Sequence, residues 1–130
     1  MKPKKFSIND RLKSFTYAFN GIIKFFTHEH NARIHLFAIC IVMPLGWYFR
    51  LDLSEWSLII IAIALVIITE LLNTSLETLS DLVEPNFNKS IGDAKDYAAG
   101  ATLVAAIVAT ILGGIVFIPK ILNVWTSFFM

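Results

Sequence analysis

Four stretches of the chain carry a readable pattern of apolar and polar positions. From Leu12, the residues Phe15, Phe19, Ile23 and Phe26 recur at helical spacing while Arg11, Lys13, Asn20 and Lys24 fall off that stripe, which predicts an amphipathic helix over about 7–30. Such a helix suits the membrane interface, with aromatics in the acyl region and cations toward anionic headgroups. A helix capping a bundle needs the same pattern. Three charge-free runs follow: 16 residues between Arg33 and Arg50, 14 between Glu55 and Glu70, and 23 between Asp96 and Lys120. A helix rises about 1.5 Å per residue and the hydrocarbon core is about 30 Å thick, so the third run spans alone and the first two need their flanks. Trp47, Tyr48 and Trp56 stand at run ends, where aromatic residues anchor a membrane–water interface. The expected fold class is an all-α membrane protein, one domain over 1–130, with transmembrane helices at about 31–50, 54–82 and 94–119.

Composition strengthens that reading. Of 130 residues, 56% are hydrophobic and 16% charged, against about 45–50% and about 25% in an ordinary soluble domain. A monomeric globule of this size cannot bury so much apolar surface, so the excess faces lipid or another subunit. The single Cys40 excludes an intramolecular disulfide framework and any CxxC metal knuckle. A net charge of +1 names no nucleic-acid partner.

The placement of the basic residues is more informative than their sum. Lys2, Lys4, Lys5, Arg11, Lys13, Lys24 and Arg33 precede the first run, Arg50 follows it, Lys89 and Lys95 precede the third, and Lys120 follows that. With three spans and the N-terminus inside, nine of the eleven basic residues are cytoplasmic, as the positive-inside rule asks. The segment DLVEPNFNKSIGDAKD is then cytoplasmic and the C-terminus outside. The many cations and amphipathic pattern ahead of the first run do not follow the order of a cleavable signal peptide.

Candidate chemistry lies in the second run. A carboxylate at Glu70, on the edge of hydrocarbon, is costly and functional by default. At about 100° per residue, Asn73, Thr74, Glu77 and Asp81 fall within about 60° of Glu70, while Leu72, Leu76 and Leu79 take the opposite side. Such a polar ladder can hold a hard cation, preferably Mg²⁺ completed by phosphate. Glu29, in THEHNARIH, and the pair Lys95 and Asp96 reach the same height in a short-looped bundle. Carboxylates beside a lysine suggest a nucleotide polyphosphate, although no GxxxxGK[ST] or kinase glycine loop is present. An HxHx₄H spacing at His28, His30 and His35 is a weak zinc signal without cysteines.

The blocks RLKSFTYAFNGI, EHNARIH, EW, ELLNTSLETLSD, AKDYAAGATL and GGIVFIP resemble the small prokaryotic diacylglycerol kinase and undecaprenol kinase family over about residues 11–119. The resemblance implies an inner-membrane homotrimer of three-span subunits that transfers the γ-phosphoryl group of ATP to a lipid alcohol with Mg²⁺. It also implies roles. Glu70 resembles the family's general base and Asn73 its supporting amide. Glu29 and Glu77 resemble the metal–ATP ligands, while Arg11, Tyr17, Lys95 and Asp96 match nucleotide contacts. The acceptor stays open between undecaprenol and diacylglycerol, with EHNARIH and GGIVFIP resembling the undecaprenol branch.

Chemistry and resemblance agree on a mechanism. A lipid hydroxyl at headgroup depth meets Glu70 first, and the γ-phosphate approaches from the aqueous side near Glu77. Positioning and charge neutralisation then carry phosphoryl transfer. A cation channel or transporter lined by Glu70–Asp81 is the rival, with a non-enzymatic assembly protein third. Residues 57–68 offer only Ser57 on that helix, so the ladder stops midway, as a one-sided site does and a pore does not. Small residues from Ala98 to Gly114 permit close helix packing, within one subunit or between subunits.

Overall fold

The structure, a computed structural model, describes residues 7–129, so Lys2, Lys4 and Lys5 of the orientation argument lie outside the described residues. Four helices follow in order: α1 (Ile8–His28), α2 (His30–Tyr48), α3 (Leu53–Val83) and α4 (Lys89–Phe129). Helices α3 and α4 form a long hairpin; α2 packs on α3, and α1 packs on α2.

Local chemistry fixes the helix ends. The Ser7 hydroxyl accepts from the Asp10 amide at the start of α1. Glu29 breaks α1 from α2 in an extended conformation, its amide still bonded to the Phe25 carbonyl at 3.0 Å. The Arg33 guanidinium donates back to the Thr27 carbonyl across this break. Buried Phe25 and its edge-on neighbour Phe26 pin the junction.

Helix α2 ends in a Schellman motif, with the Leu51 amide on the Gly46 carbonyl and the Arg50 amide on that of Trp47, both at 3.1 Å. Its left-handed position is Arg50, at φ 51°, where glycine is the usual occupant. Glycine is required instead at Gly46, where a Cβ would lie 2.6 Å from the Trp56 ring. Asp52 then opens α3 with a capping box: it accepts the Glu55 amide at 2.9 Å, and Glu55 accepts the Asp52 amide at 2.9 Å.

Leu51, Ile59 and Val116 form a small buried core near this end, with Val42, Phe49, Trp56 and Phe117 around it. Phe49 and Phe117 meet edge to face at 6.2 Å. Elsewhere the helices carry rows of exposed apolar side chains, such as Ile60, Ile61 and Ile68 on α3 and Leu103, Ile107, Ile111 and Ile115 on α4. Burial within one chain is slight because lipid or other chains are the solvent for these faces.

Among the described residues, two helices are long and apolar enough to cross a membrane, Leu53–Val83 and Lys89–Ser127. The 31 residues of α3 rise about 46 Å, more than the about 30 Å of hydrocarbon, so one end projects beyond it. Helix α4 begins at Lys89 rather than near residue 94, because the Asn88 side chain accepts the Ser90 and Ile91 amides. It also continues through Pro119 to Phe129, ten residues past the expected end of the third span.

Candidate active site

Glu70 and Asn73 are the buried polar residues of α3, with only 5% and 8% of their surfaces accessible. Their spacing, with Glu77 one turn further on, puts all three on the α3 face that meets α2 and α4. Together with Asn31, Ile34 and His35 of α2 and Ala99, Thr102, Leu103 and Ala106 of α4, they line a pocket of about 400 Å³. Two carboxylates with no lysine or arginine in the lining make this pocket electronegative.

The hydrogen bonds inside it are few. Asn73 Nδ2 donates to Glu77 Oε1 at 3.1 Å, which fixes the amide orientation. The opposite oxygen, Asn73 Oδ1, is buried without a partner. An orphaned carbonyl oxygen is costly unless a ligand or ion completes it. His35 Nε2 lies 3.1 Å from Glu70 Oε1. In the Nε2–H tautomer His35 donates this bond and the carboxylate oxygen accepts it.

A second, apolar cavity of about 350 Å³ runs along the same three helices, lined by Val42 of α2, Ile59 and Val66 of α3, and Ala109, Gly113 and Phe117 of α4 among others. It shares His35 and Ala106 with the polar pocket. Small residues of the third run line both cavities, Ala99 and Ala106 the polar one and Ala106, Ala109 and Gly113 the apolar one, and Gly113 has nothing within 4 Å of a notional Cβ. The structure therefore joins an acidic pocket to an apolar groove at one residue pair.

The remaining candidates stand apart from that pocket. Glu29 is the half-buried residue between α1 and α2, two positions before Asn31, and is not in the lining. Arg11 and Tyr17 are exposed on α1. Lys95 Nζ donates to Asp81 Oδ1 at 2.9 Å, closing α4 on α3 one turn before Ala99, and Asp96 beside it is exposed. Asp81 thereby leaves the ladder, and Thr74 is outside the lining. Among the described residues no cluster of three His, Cys, Asp or Glu is arranged for a metal ion. The three histidines do not converge either: His28 Nδ1 bonds Thr27 Oγ1 and the Lys24 carbonyl at the end of α1, while His35 faces Glu70.

Sequence reasoning missed His35 and Asn31 as parts of the site. A usable signal was present: Asn31 and His35 sit four apart at the polar start of an otherwise apolar helix, hence on one face.

Residues 16–117 match the profile of the prokaryotic diacylglycerol kinase family. The chain belongs to that family. It is 35% identical over 120 residues to the undecaprenol kinase of Bacillus subtilis, covering 92% of this chain and 98% of that one. It is 39% identical over 113 residues to the diacylglycerol kinase of Synechocystis, covering 86% of this chain and 65% of the relative. With the diacylglycerol kinase of Escherichia coli K12 it shares 28% over 100 residues, 77% of this chain and 82% of that one. This family member is a membrane-bound lipid kinase.

Proposed function

We propose that this kinase transfers the γ-phosphoryl group of ATP to a membrane lipid alcohol, undecaprenol or diacylglycerol, with Glu70 as general base and Mg²⁺ as cofactor. One observation carries the reading: a buried carboxylate, bonded through Oε1 to His35, stands where an acidic pocket meets an apolar groove that shares His35 with it. A lipid alcohol needs that junction, since its tail requires an apolar surface and its hydroxyl a base.

Glu70 takes the hydroxyl proton as the acceptor oxygen bonds to the γ-phosphorus, and the bond from that phosphorus to the β,γ-bridging oxygen breaks to release ADP. Proton abstraction by a positioned carboxylate contributes about 10²–10⁴-fold. The site residues fit a hard divalent cation: Glu77 supplies a carboxylate, and the orphaned Asn73 Oδ1 beside it is an oxygen ligand lacking a partner. Bound there, Mg²⁺ would neutralise phosphate charge. Asn73 holds Glu77 in orientation, and Glu29 is the second metal–nucleotide carboxylate. Arg11, Tyr17, Lys95 and Asp96 serve the nucleotide from the polar side.

The enzyme crosses the inner membrane three times, N-terminus in the cytoplasm. Helix α2, with 19 residues, rises about 28 Å, close to the hydrocarbon thickness, and supplies the third crossing. Helix α1 lies on the surface, its Phe15, Phe19 and Ile23 exposed for the acyl region. Three such chains form a homotrimer, each site walled from lipid by its neighbour. A cation path is disfavoured because the α3 face beyond Glu70 turns apolar at Val66, Ala62 and Ile59.

The test offers purified protein labelled ATP with undecaprenol and diacylglycerol in parallel, with and without Mg²⁺. Labelled lipid phosphate that requires Mg²⁺ is expected. No labelled product from either alcohol would overturn the proposal.

A further inference from the structure

His35 is the residue common to the acidic pocket and the apolar groove that also touches the proposed base. Its side chain is 24% exposed, against 7% for Glu70. One edge of its ring is thus committed to the carboxylate while the rest borders both cavities. Among the described residues, the bond to His35 Nε2 is the hydrogen bond that Glu70 makes, so it is the polar contact that orients the carboxylate. Oε1 is engaged and Oε2 is left to accept.

We infer that His35 is a positioning residue for Glu70: by donating Nε2–H to Oε1 it turns Oε2 toward the hydroxyl of a lipid alcohol seated with its tail in the groove. This rests on the reading of Glu70 as the base. A terminal carboxyl torsion is broad and roughly two-fold in the absence of a partner, so an untethered Glu70 spends much of its time off the line of proton transfer. A misplacement of about 1 Å costs as much as a chemical lesion. The burden therefore falls on turnover and not on ATP binding, since the other proposed nucleotide contacts lie on α1, near Glu77 and at Lys95. The role needs one N–H on Nε2 and no charge.

The experiment compares His35→Leu, His35→Gln, Glu70→Gln and the double variant His35→Leu/Glu70→Gln. Steady-state kinetics are measured with undecaprenol and with diacylglycerol in mixed micelles. Removing the donor in His35→Leu should lower kcat about 10–100-fold, the usual range for a side chain that orients a working group, with KM for ATP within about twofold. Glutamine carries an N–H donor at similar reach, so His35→Gln should recover most of that loss. In the double variant, removing His35 should add little to the loss from Glu70→Gln, because the interaction it served is already gone.

Equal damage from leucine and glutamine, or losses that multiply in the double variant, would overturn the inference, as would wild-type kcat in His35→Leu. Wild-type turnover in Glu70→Gln is a separate outcome that overturns the base assignment and this inference with it. Multiplying losses with a strong Glu70→Gln effect overturn only the role of His35.

Discussion

Lys120 of α4 pairs with Glu55 of α3 at 2.8 Å, at the end of the hairpin away from the acidic pocket. The same carboxylate oxygen, Glu55 Oε2, also accepts the Asp52 amide and so completes the box that starts α3. One side chain thus ties the start of one long helix to the flank of the other. Glu55→Gln keeps the box acceptor and loses the ion pair; Glu55→Ala loses both. Loss of a helix-capping acceptor costs about 0.5–2 kcal/mol, whereas a partly exposed ion pair is worth about 0–1 kcal/mol. Thermal unfolding in detergent should therefore rank wild type above Glu55→Gln and Glu55→Gln above Glu55→Ala, with kinase turnover unchanged in all three. A glutamine variant as unstable as the alanine variant would show that the charge, not the cap, dominates.

Acid should weaken the same corner. The Ser54 hydroxyl and the Glu55 amide bonded to Asp52 hold its carboxyl below its ordinary value. A carboxyl lowered on folding contributes fully above the unfolded value, and the contribution is lost as pH falls through the folded one. Asp52→Asn caps without titrating. Its stability deficit relative to wild type should shrink below about pH 4, and a deficit that stays constant to lower pH would refute the assignment.

Arg50 offers the opposite experiment. It holds a left-handed conformation at φ 51° in the Schellman motif after α2, and this conformation costs a non-glycine residue about 1–2 kcal/mol. Arg50→Gly should raise stability by up to about 1 kcal/mol once glycine's larger unfolded-state entropy is counted. An unchanged or lowered thermal midpoint would mean that the Arg50 side chain supports the membrane interface more than its backbone strains the turn.

How far the sequence reveals such features depends on their range. The Glu70, Asn73 and Glu77 face follows from helical periodicity alone, since the three residues lie within two turns. The departure of Asp81 from that ladder does not, because its partner Lys95 arrives with the hairpin. His35 is equally hidden: its contact lies 35 positions away and requires the packing of α2 on α3. The early start of α4 was readable from Asn88, a capping residue, but a span boundary placed near 94 overlooks it. Gly46 was likewise silent, since only the Trp56 ring against it gives the missing side chain a purpose.

Within the proposed site, two carboxylates carry different duties. Glu70→Gln keeps size and hydrogen bonding but cannot take a proton, so turnover should fall about 10²-fold or more while binding of the Mg–nucleotide complex persists. Glu77→Gln should instead raise the Mg²⁺ concentration needed for half-maximal activity, because a carboxylate ligand becomes a neutral amide. Titrating Mg²⁺ at saturating ATP separates them. A Mg²⁺ requirement unchanged in Glu77→Gln would remove it from the metal site.

Glu29 raises the question of whether one chain holds a whole site. It stands between α1 and α2 and does not line the pocket that contains Glu70 and Glu77 of the same chain. In a cyclic oligomer the same heterologous contact repeats around the ring, so Glu29 of one subunit can serve the pocket of the next. Mixing Glu29→Gln with Glu70→Gln subunits distinguishes the arrangements. With a shared site, random equal mixing leaves about a quarter of the interfaces with both residues intact, and activity returns from two inactive parents. With a self-contained site, every pocket carries one lesion and none returns. The subunits must be unfolded and reassembled together, because preformed oligomers need not exchange. Co-assembly is verified by capturing one tagged parent and detecting the other. Recovery near a quarter of wild-type activity is expected; none, despite proven co-assembly, would confine each site to a single chain.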